Sequence, residues 1–322
     1  MSKPIIVTGA AGFIGSNLVE ELNRRGRQDL LLVDNLGTDE KWKNLVGLRF
    51  DDLITSDQFM KLVEDDVLPD AQAVVHLGAC SSTTERDAGF LLENNYRFTR
   101  KTCEWCLARG TRFVYASSAA TYGDGSQGYS DDLAGVPSLR PLNMYGYSKQ
   151  LFDLWALRLG LFDRIAGMKY FNVYGPREAH KDDMRSMVHK AFGQVLSRGW
   201  LELFKSDRPE YPDGGQKRDF VYVRDAVGAT LFMMEHPEIG GLFNCGTGKA
   251  RTWNDLAIAV FGALGKPVDI RYIDMPAKLK GKYQYFTQAD TTKLRAAGYD
   301  TPFLDLEEAV ADYVRKEPPQ AL

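Results

Sequence analysis

Residues 5–17 read IIVTGAAGFIGSN, and the three glycines set three apart, Gly9, Gly12 and Gly15, constrain this chain more than any other feature. A β-branched run precedes them and an amphipathic segment follows. Gly9 permits a tight turn, Gly12 lets the backbone approach a pyrophosphate with no Cβ between, and Gly15 lets a helix pack close against a strand. A helix opening there turns free N–H groups and a positive dipole end toward an anion. Glycine collects in turns of every kind, so the pattern alone is weak. The context strengthens it: a strand before, a helix after, and Asp34 closing a second apolar run about twenty residues beyond Gly15. The segment is expected to bind a dinucleotide.

Short apolar runs alternate with helical patterns through the first half. Strands are predicted at PIIVT (4–8), LLLVD (30–34), AVVHL (73–77), RFVYAS (112–117) and IAGMKYF (165–171). The stretches between them carry apolar residues at i, i+3 or i+4 spacing. Strands buried on both faces and alternating with helices predict an α/β fold built on a doubly wound parallel sheet of Rossmann type. Past residue 172 the rhythm changes. Residues 205–218 are polar and rich in Pro and Gly, and read as a surface loop. DFVYVRDAVGATLFMME and GLFNCGTG read as a return to the sheet. The expected organisation is a dinucleotide-binding domain, 1–171 and 219–250, interleaved with a smaller α/β substrate-binding lobe, 172–218 and 251–322.

Several function classes are excluded by composition. The net charge is −3, with acids and bases interspersed, so no nucleic-acid partner is expected. The basic cluster RRGR at 24–27 reads as a solvated helix end. No apolar run approaches the ~20 residues a membrane span needs, and the first strand begins too early for a signal peptide. Cys80, Cys103, Cys106 and Cys245 show no disulfide framework, and the CxxC within RKTCEWCLARG has helical spacing and no second ligand pair. The four histidines form no ligand pattern either. No metal is expected, and the compartment is expected to be the reducing cytoplasm.

A second signature lies in YGYSK, where Tyr145 and Lys149 stand four apart and share one helix face. A phenol titrates near ~10 in water. A neighbouring ammonium and a positive nicotinamide would both favour the phenolate, bringing it toward working pH. Lys149 can also hold the nicotinamide ribose. YASSAATYG ends a strand and supplies Ser118. The glycine spacing and YxxxK together resemble the extended short-chain dehydrogenase/reductase superfamily, in whose pattern the strand-end serine hydrogen-bonds the reacting oxygen. The implied chemistry is hydride transfer at a carbinol carbon.

Within that superfamily the chain resembles the ADP-L-glycero-D-manno-heptose 6-epimerases. The resemblance is carried by VTGAAGFIGSN, VDNL, HLGACSSTTE, NNY, YASSAATYG, PLNMYGYSK, YFNVYGPREAHK, KRDFVYVRD, FNCGTG, LKGKYQYFTQAD and LRAAGYD, and runs from residue 4 to about 315. It implies inversion of carbon six of an ADP-activated heptose for lipopolysaccharide core synthesis, with NADP used and regenerated in each turnover. It also implies a homo-oligomer, a pentameric ring among the forms. By this resemblance Phe13 and Ile14 line the pyrophosphate, and Asp34, Asn35 and Lys41 meet the adenosine ribose and its phosphate. Leu77, Gly78, Ala79, Cys80 and Ser81 flank the cofactor, as do Asn94, Lys149, Val173 and Lys181. Asn172, Phe204, Lys205, Ser206, Asp207, Arg218 and Tyr283 match substrate-contacting positions, together with Asp183 and Lys190. Tyr145 and Lys181 match the acid/base pair.

The chain departs from the family pattern at four places. Ser56 stands where a lysine can face the cofactor phosphate. Asp183 sets a carboxylate at a substrate position, to be offset by Lys190 or Arg185. Lys190 replaces a histidine, and the loop 207–215 is longer than usual. His180 is expected to shape the loop before Lys181. Asp34 could instead cap a helix, and Lys181 or Arg218 could be solvated surface cations. Other readings of the whole are another nucleotide-sugar 4-epimerase, a 4,6-dehydratase, or a non-catalytic NADP-binding protein. A dehydratase is disfavoured because Ala119 and Ala120 follow Ser118 where such enzymes carry an Asp-Glu pair. A non-catalytic protein would be expected to lack Tyr145.

Overall fold

Ile5, Ile6 and Val7 are all fully buried, yet they do not share a core: Ile5 and Val7 face one packed layer and Ile6 the other. A strand with two buried faces belongs inside a sheet covered on both sides. The computed structural model describes residues 3–276 and 284–316. β1 (Ile5–Thr8) passes through the glycine loop into α1 (Phe13–Arg24). There follow β2 (Leu30–Val33), β3 (Asp52–Ile54), α2 (Ser56–Glu64), β4 (Ala73–His76), α3 (Ala88–Leu91), α4 (Phe98–Arg109), β5 (Arg112–Ser118), α5 (Met144–Arg158) and β6 (Ile165–Tyr170). The remainder comprises β7 (Asn172–Tyr174), α6 (Met187–Arg198), β8 (Leu201–Phe204), β9 (Lys217–Tyr222), α7 (Val223–Glu235), β10 (Gly241–Cys245), β11 (Ala250–Thr252), α8 (Trp253–Ala263), β12 (Ile270–Ile273), α9 (Thr292–Ala296) and α10 (Leu306–Lys316).

The main sheet is parallel, in the order β10-β6-β5-β4-β1-β2-β3. Apolar faces of α1 and α7 cover one side, and those of α2, α4 and α5 cover the other. This is the doubly wound α/β arrangement. Strand order reverses between β1 and β4, and the crevice outside the carboxyl ends of the strands at such a point is where ligands bind in these sheets. The glycine loop leaves β1 at that point.

One expectation is corrected. KRDFVY does not return to the main sheet: β9 pairs in parallel with β7 and antiparallel with β11 in a separate three-stranded sheet. The helix after it, α7, packs on α1, and only β10 rejoins the seven strands. β8 and β12 form a third, two-stranded sheet. β3 and β8, too short to show a period, were not foreseen as strands.

Under the carboxyl end of β5 lies a fully buried ion pair, Lys169 of β6 and Asp153 of α5, 2.9 Å apart. Asp153 also accepts hydrogen bonds from Tyr115 (2.7 Å) and Ser117 (2.8 Å), and Lys169 donates to the Thr121 hydroxyl (2.6 Å). Every charged atom therefore has a partner, which a buried pair requires. The network ties α5 to β5 and β6 directly beneath the residues described next.

Candidate active site

A cavity of about 790 Å³ runs from the glycine loop, past the ends of β4 and β5, to Trp253, Gln284 and Thr287. Gly9 takes a left-handed φ of 68°, and a Cβ there would sit 2.6 Å from the Gly78 nitrogen. A Cβ on Gly15 would lie 2.0 Å from the Gly9 carbonyl oxygen, so strand and helix approach this closely only without one. Gly12 is the N-cap of α1. No side chain caps that helix and no acidic residue occupies its first turn, so its N-terminal N–H groups face the cavity uncapped. The cradle fits a phosphate.

At the same end, the Asp34 carboxylate accepts the Ala11 N–H and pairs with Lys41, each at 2.9 Å. Asn35 accepts the Ser56 N–H at 2.9 Å, so Ser56 stands in the wall through its backbone contact. The segment Leu77–Ser81 forms the facing wall. It is fixed by a residue the sequence reading passed over: Asn95 accepts the Cys80 N–H and donates to the Cys80 carbonyl, both at 2.9 Å, and donates to Ser148 of α5 at 3.0 Å. Asn95 sits on a π-helical turn, Leu92–Arg97, which carries its neighbour Asn94 into the cavity wall. Such turns recur at functional sites. NNY held the signal, but only its first asparagine was read. His76 is buried between the Thr8 and Thr99 hydroxyls (2.7 and 2.8 Å), and burial, with Lys149 adding to it, lowers it to about 3. It is a neutral brace for the strand ends.

The reactive side chains meet in the middle of the cavity. Asn143 caps α5 by accepting the Gly146 N–H, and the helix sets Tyr145, Lys149 and Asp153 along one face. Ser118 hydrogen-bonds the Tyr145 phenol and accepts the Ala120 N–H at 3.1 Å. Lys149 donates to the Ala116 carbonyl at 2.8 Å. Burial lowers Lys149 to about 8, opposed by Asp153 and Cys80. The expectation of a lowered Tyr145 is corrected for the protein alone. Desolvation pushes its phenol up, outweighing the bond from Ser118.

Lys181 enters the cavity from another segment, the 3₁₀ turn Ala179–Met184, with Nζ 5.3 Å from the centre of the Phe13 ring. Desolvation lowers it, Glu178 opposes that shift and Lys190 adds to it. His180 faces Asn44 at 3.1 Å, and Asn44 also bonds the Ala11 carbonyl, so this turn rests on the glycine loop.

All the expected cofactor positions line the cavity, as does Asn172. The remaining substrate candidates among the described residues lie outside its wall. Lys190 donates to the Asp183 carbonyl (2.6 Å), and Arg185 pairs with Asp182 rather than Asp183. Lys205 pairs with Asp274, Ser206 closes its own turn on Arg208, and Asp207 is bonded by Tyr285, with Phe204 just before them on β8. Arg218 is buried rather than a surface cation, donating to the Lys217 and Gln284 carbonyls beside the Trp253 ring. Tyr283 is outside the described residues. Trp253, Gln284 and Thr287, at the far end of the cavity, were not singled out from the sequence.

Residues 5–246 match the NAD dependent epimerase/dehydratase family. An ADP-L-glycero-D-manno-heptose-6-epimerase of Nitratidesulfovibrio vulgaris (strain DP4) is 58% identical over 97% of each chain. Among solved structures, the Helicobacter pylori ADP-L-glycero-D-manno-heptose-6-epimerase superposes with a TM-score of 0.81 at 26% identity, covering 98% of this chain and 96% of that one. A Thermus thermophilus UDP-glucose 4-epimerase complex with NAD gives 0.73 at 26% identity, over 97% and 98%. The chain belongs to the NAD dependent epimerase/dehydratase family and stands, within it, among the ADP-L-glycero-D-manno-heptose-6-epimerases.

Proposed function

We propose that this chain inverts carbon six of ADP-D-glycero-D-manno-heptose to give ADP-L-glycero-D-manno-heptose, with NADP held in the cleft. One observation carries the reading: a single cavity joins a phosphate cradle to two proton-carrying side chains, Tyr145 and Lys181, brought from separate segments. The near-full-length relatives bearing that activity's name support the choice of substrate.

The cradle of Gly9, Gly12 and Gly15 would hold the pyrophosphate, Asp34 and Lys41 the adenosine end, and Lys149 the nicotinamide ribose. When bound, the nicotinamide cofactor supplies the acceptor and donor of a hydride at carbon six. The chain's part is the proton. Tyr145, held by Ser118, exchanges the proton of the sugar oxygen on one side. Carbon six lies outside the sugar ring, so the ketone can turn about one exocyclic bond and present its other face. Its oxygen then points elsewhere, and a second proton carrier is required. Lys181 fills that place, its ammonium weakened by burial. With β9 set apart from the main sheet, the dinucleotide would fall to 1–171 together with α7 and β10, and the sugar largely to the rest. A homo-oligomer is part of the same reading, and its mass in solution tests it.

The direct test is incubation of the purified protein with ADP-D-glycero-D-manno-heptose and NADP, followed by proton NMR of the product. An unchanged sugar would overturn the proposal, and conversion at carbon four would move the chain to another epimerase class.

A further inference from the structure

The turn that carries Lys181 has an unusual backbone. Arg177 before it and Asp182 within it, on either side of Lys181, both take positive φ, 73° and 45°, although neither is glycine. Such conformations persist only where the surroundings hold them. The surroundings here converge on one fully buried carboxylate. Glu178 accepts the Gly175 N–H at 3.1 Å on one side of the turn. On the other it accepts both the N–H and the hydroxyl of Ser186, at 2.5 and 2.8 Å. Ser186 is also the N-cap of α6, its oxygen accepting the His189 N–H at 3.1 Å. From the C-terminal helix, α10, the Tyr313 hydroxyl donates to the same carboxylate at 3.2 Å and meets His189 Nδ1 at 2.8 Å. Burial lowers His189 to about 4, so it is neutral in this chain of bonds.

From this geometry we propose that Glu178 is a positioning residue, closing the turn 175–186 at both ends and so placing the Lys181 ammonium in the cleft. The proposal rests on the reading of Lys181 as a proton carrier. Two further groups set the outer edge of the turn: Arg177 donates to the Ser16 carbonyl (2.9 Å) and pairs with Glu20 (2.7 Å), and Asn17 donates to the Pro176 carbonyl (3.0 Å). These dock the turn on α1, whereas Glu178 holds its two ends together.

The carboxylate also acts on charge. Burial pushes Glu178 up, opposed by the bonds from Ser186 and Gly175 and by the Lys181 charge. In its ionised form it favours the ammonium form of Lys181 against desolvation and the Lys190 charge. Other titratable groups on and around the turn include Asp182, paired with Arg185, and Asp183, whose carbonyl takes Lys190. Arg177, paired with Glu20, and Tyr313 are also there. So are His180, acted on by Asp39, Lys181, Lys41 and Asp34, and His189, acted on by Arg185 and Lys190. Removing the Glu178 charge therefore moves Lys181 further down.

The test is Glu178→Gln in the full chain, beside Ser186→Ala and Lys181→Met. Epimerisation is followed by NMR, cofactor affinity by titration, and the Lys181 signal by 15N-lysine NMR, assigned by its loss in Lys181→Met. Glu178→Gln should lower kcat by about 10–100-fold, with KM and cofactor affinity near those of the parent, and shift the Lys181 titration down by about one pH unit. Ser186→Ala keeps the charge, so it should lower kcat with the titration little moved. A Glu178→Gln protein with parental kcat and titration overturns the proposal. So does one whose activity falls only in proportion to its folded fraction while the titration stays in place. Should Glu178→Gln fail to fold, parental kcat in Ser186→Ala overturns it instead. Should Lys181→Met turn over normally, the proton role of Lys181 falls, and the titration still decides whether Glu178 places that side chain.

Discussion

Lys41 and Asp34 form an ion pair of 2.9 Å beside the glycine loop, both largely buried, with 18% and 8% of their side chains exposed. An unpaired acid at this position would select a free ribose 2′-hydroxyl and repel a 2′-phosphate. With its charge matched by Lys41, that repulsion is offset, and the lysine lines the same cavity as the glycine loop. We expect NADP to bind more tightly than NAD, and Lys41→Ala to narrow the preference while leaving NAD binding almost unchanged. Competition titration checks this, and equal affinities or a preference for NAD in the parent would reject it.

Tyr145 and Lys181 reach the cavity from different segments, so if both carry protons neither should substitute for the other. Tyr145→Phe and Lys181→Met are each expected to cut epimerisation by about 10²–10⁴-fold while cofactor affinity is retained. Steady-state turnover with a parallel cofactor titration makes the measurement. Near-normal turnover in Lys181→Met would leave Tyr145 as the only proton carrier.

If oxidation and reduction at carbon six use the same hydride, that hydrogen never meets water. We expect no deuterium at carbon six when the reaction runs in D₂O, read by NMR or mass spectrometry of the product. Deuterium at that carbon would replace the redox route with deprotonation.

Asp225, in the first turn of α7, is pushed up to about 6 by burial, although it accepts the Leu304 N–H at 2.9 Å. Its folded value lies above its unfolded one. Its favourable contribution is therefore complete below the unfolded value near ~3.9 and is lost as pH rises through 6. At pH 8 the ionised group costs on the order of 2 kcal/mol. Asp225→Asn keeps an acceptor for Leu304 and should raise the melting temperature by several degrees at pH 8, with little change at pH 4. Equal shifts at the two pH values would show that charge is not the cause.

The doubly wound sheet was legible because its strands are buried on both faces and separated by helical periods. That the expected cofactor positions and Asn172 would come together around one cavity was legible because glycine spacing, YxxxK and family-like stretches mark them along the chain. What escaped was set by contacts distant in sequence. Asn95 looks like any polar residue on a helix until it meets Cys80 and Ser148. The apolar half of KRDFVY reads as a strand of the main sheet, and its partners β7 and β11 are too short to announce a second one. The lowered phenol expected at Tyr145 counted on a neighbouring ammonium and a bound nicotinamide, and in the protein alone desolvation outweighs the help it has. Spacing alone could not show that Lys149 turns its ammonium to the Ala116 carbonyl.

The Lys169–Asp153 pair has a consequence for descent as well as for folding. Replacing either partner alone strands a charge in the interior, at about 3–5 kcal/mol, a large part of a typical domain's whole stability. Any lineage exchanging the pair for apolar residues must pass through a barely folded ancestor or change both codons together. Two positions on separate elements thus behave as a single heritable locus, and the alignment of α5 with β5, which sets Tyr145 over Ser118, is inherited with them.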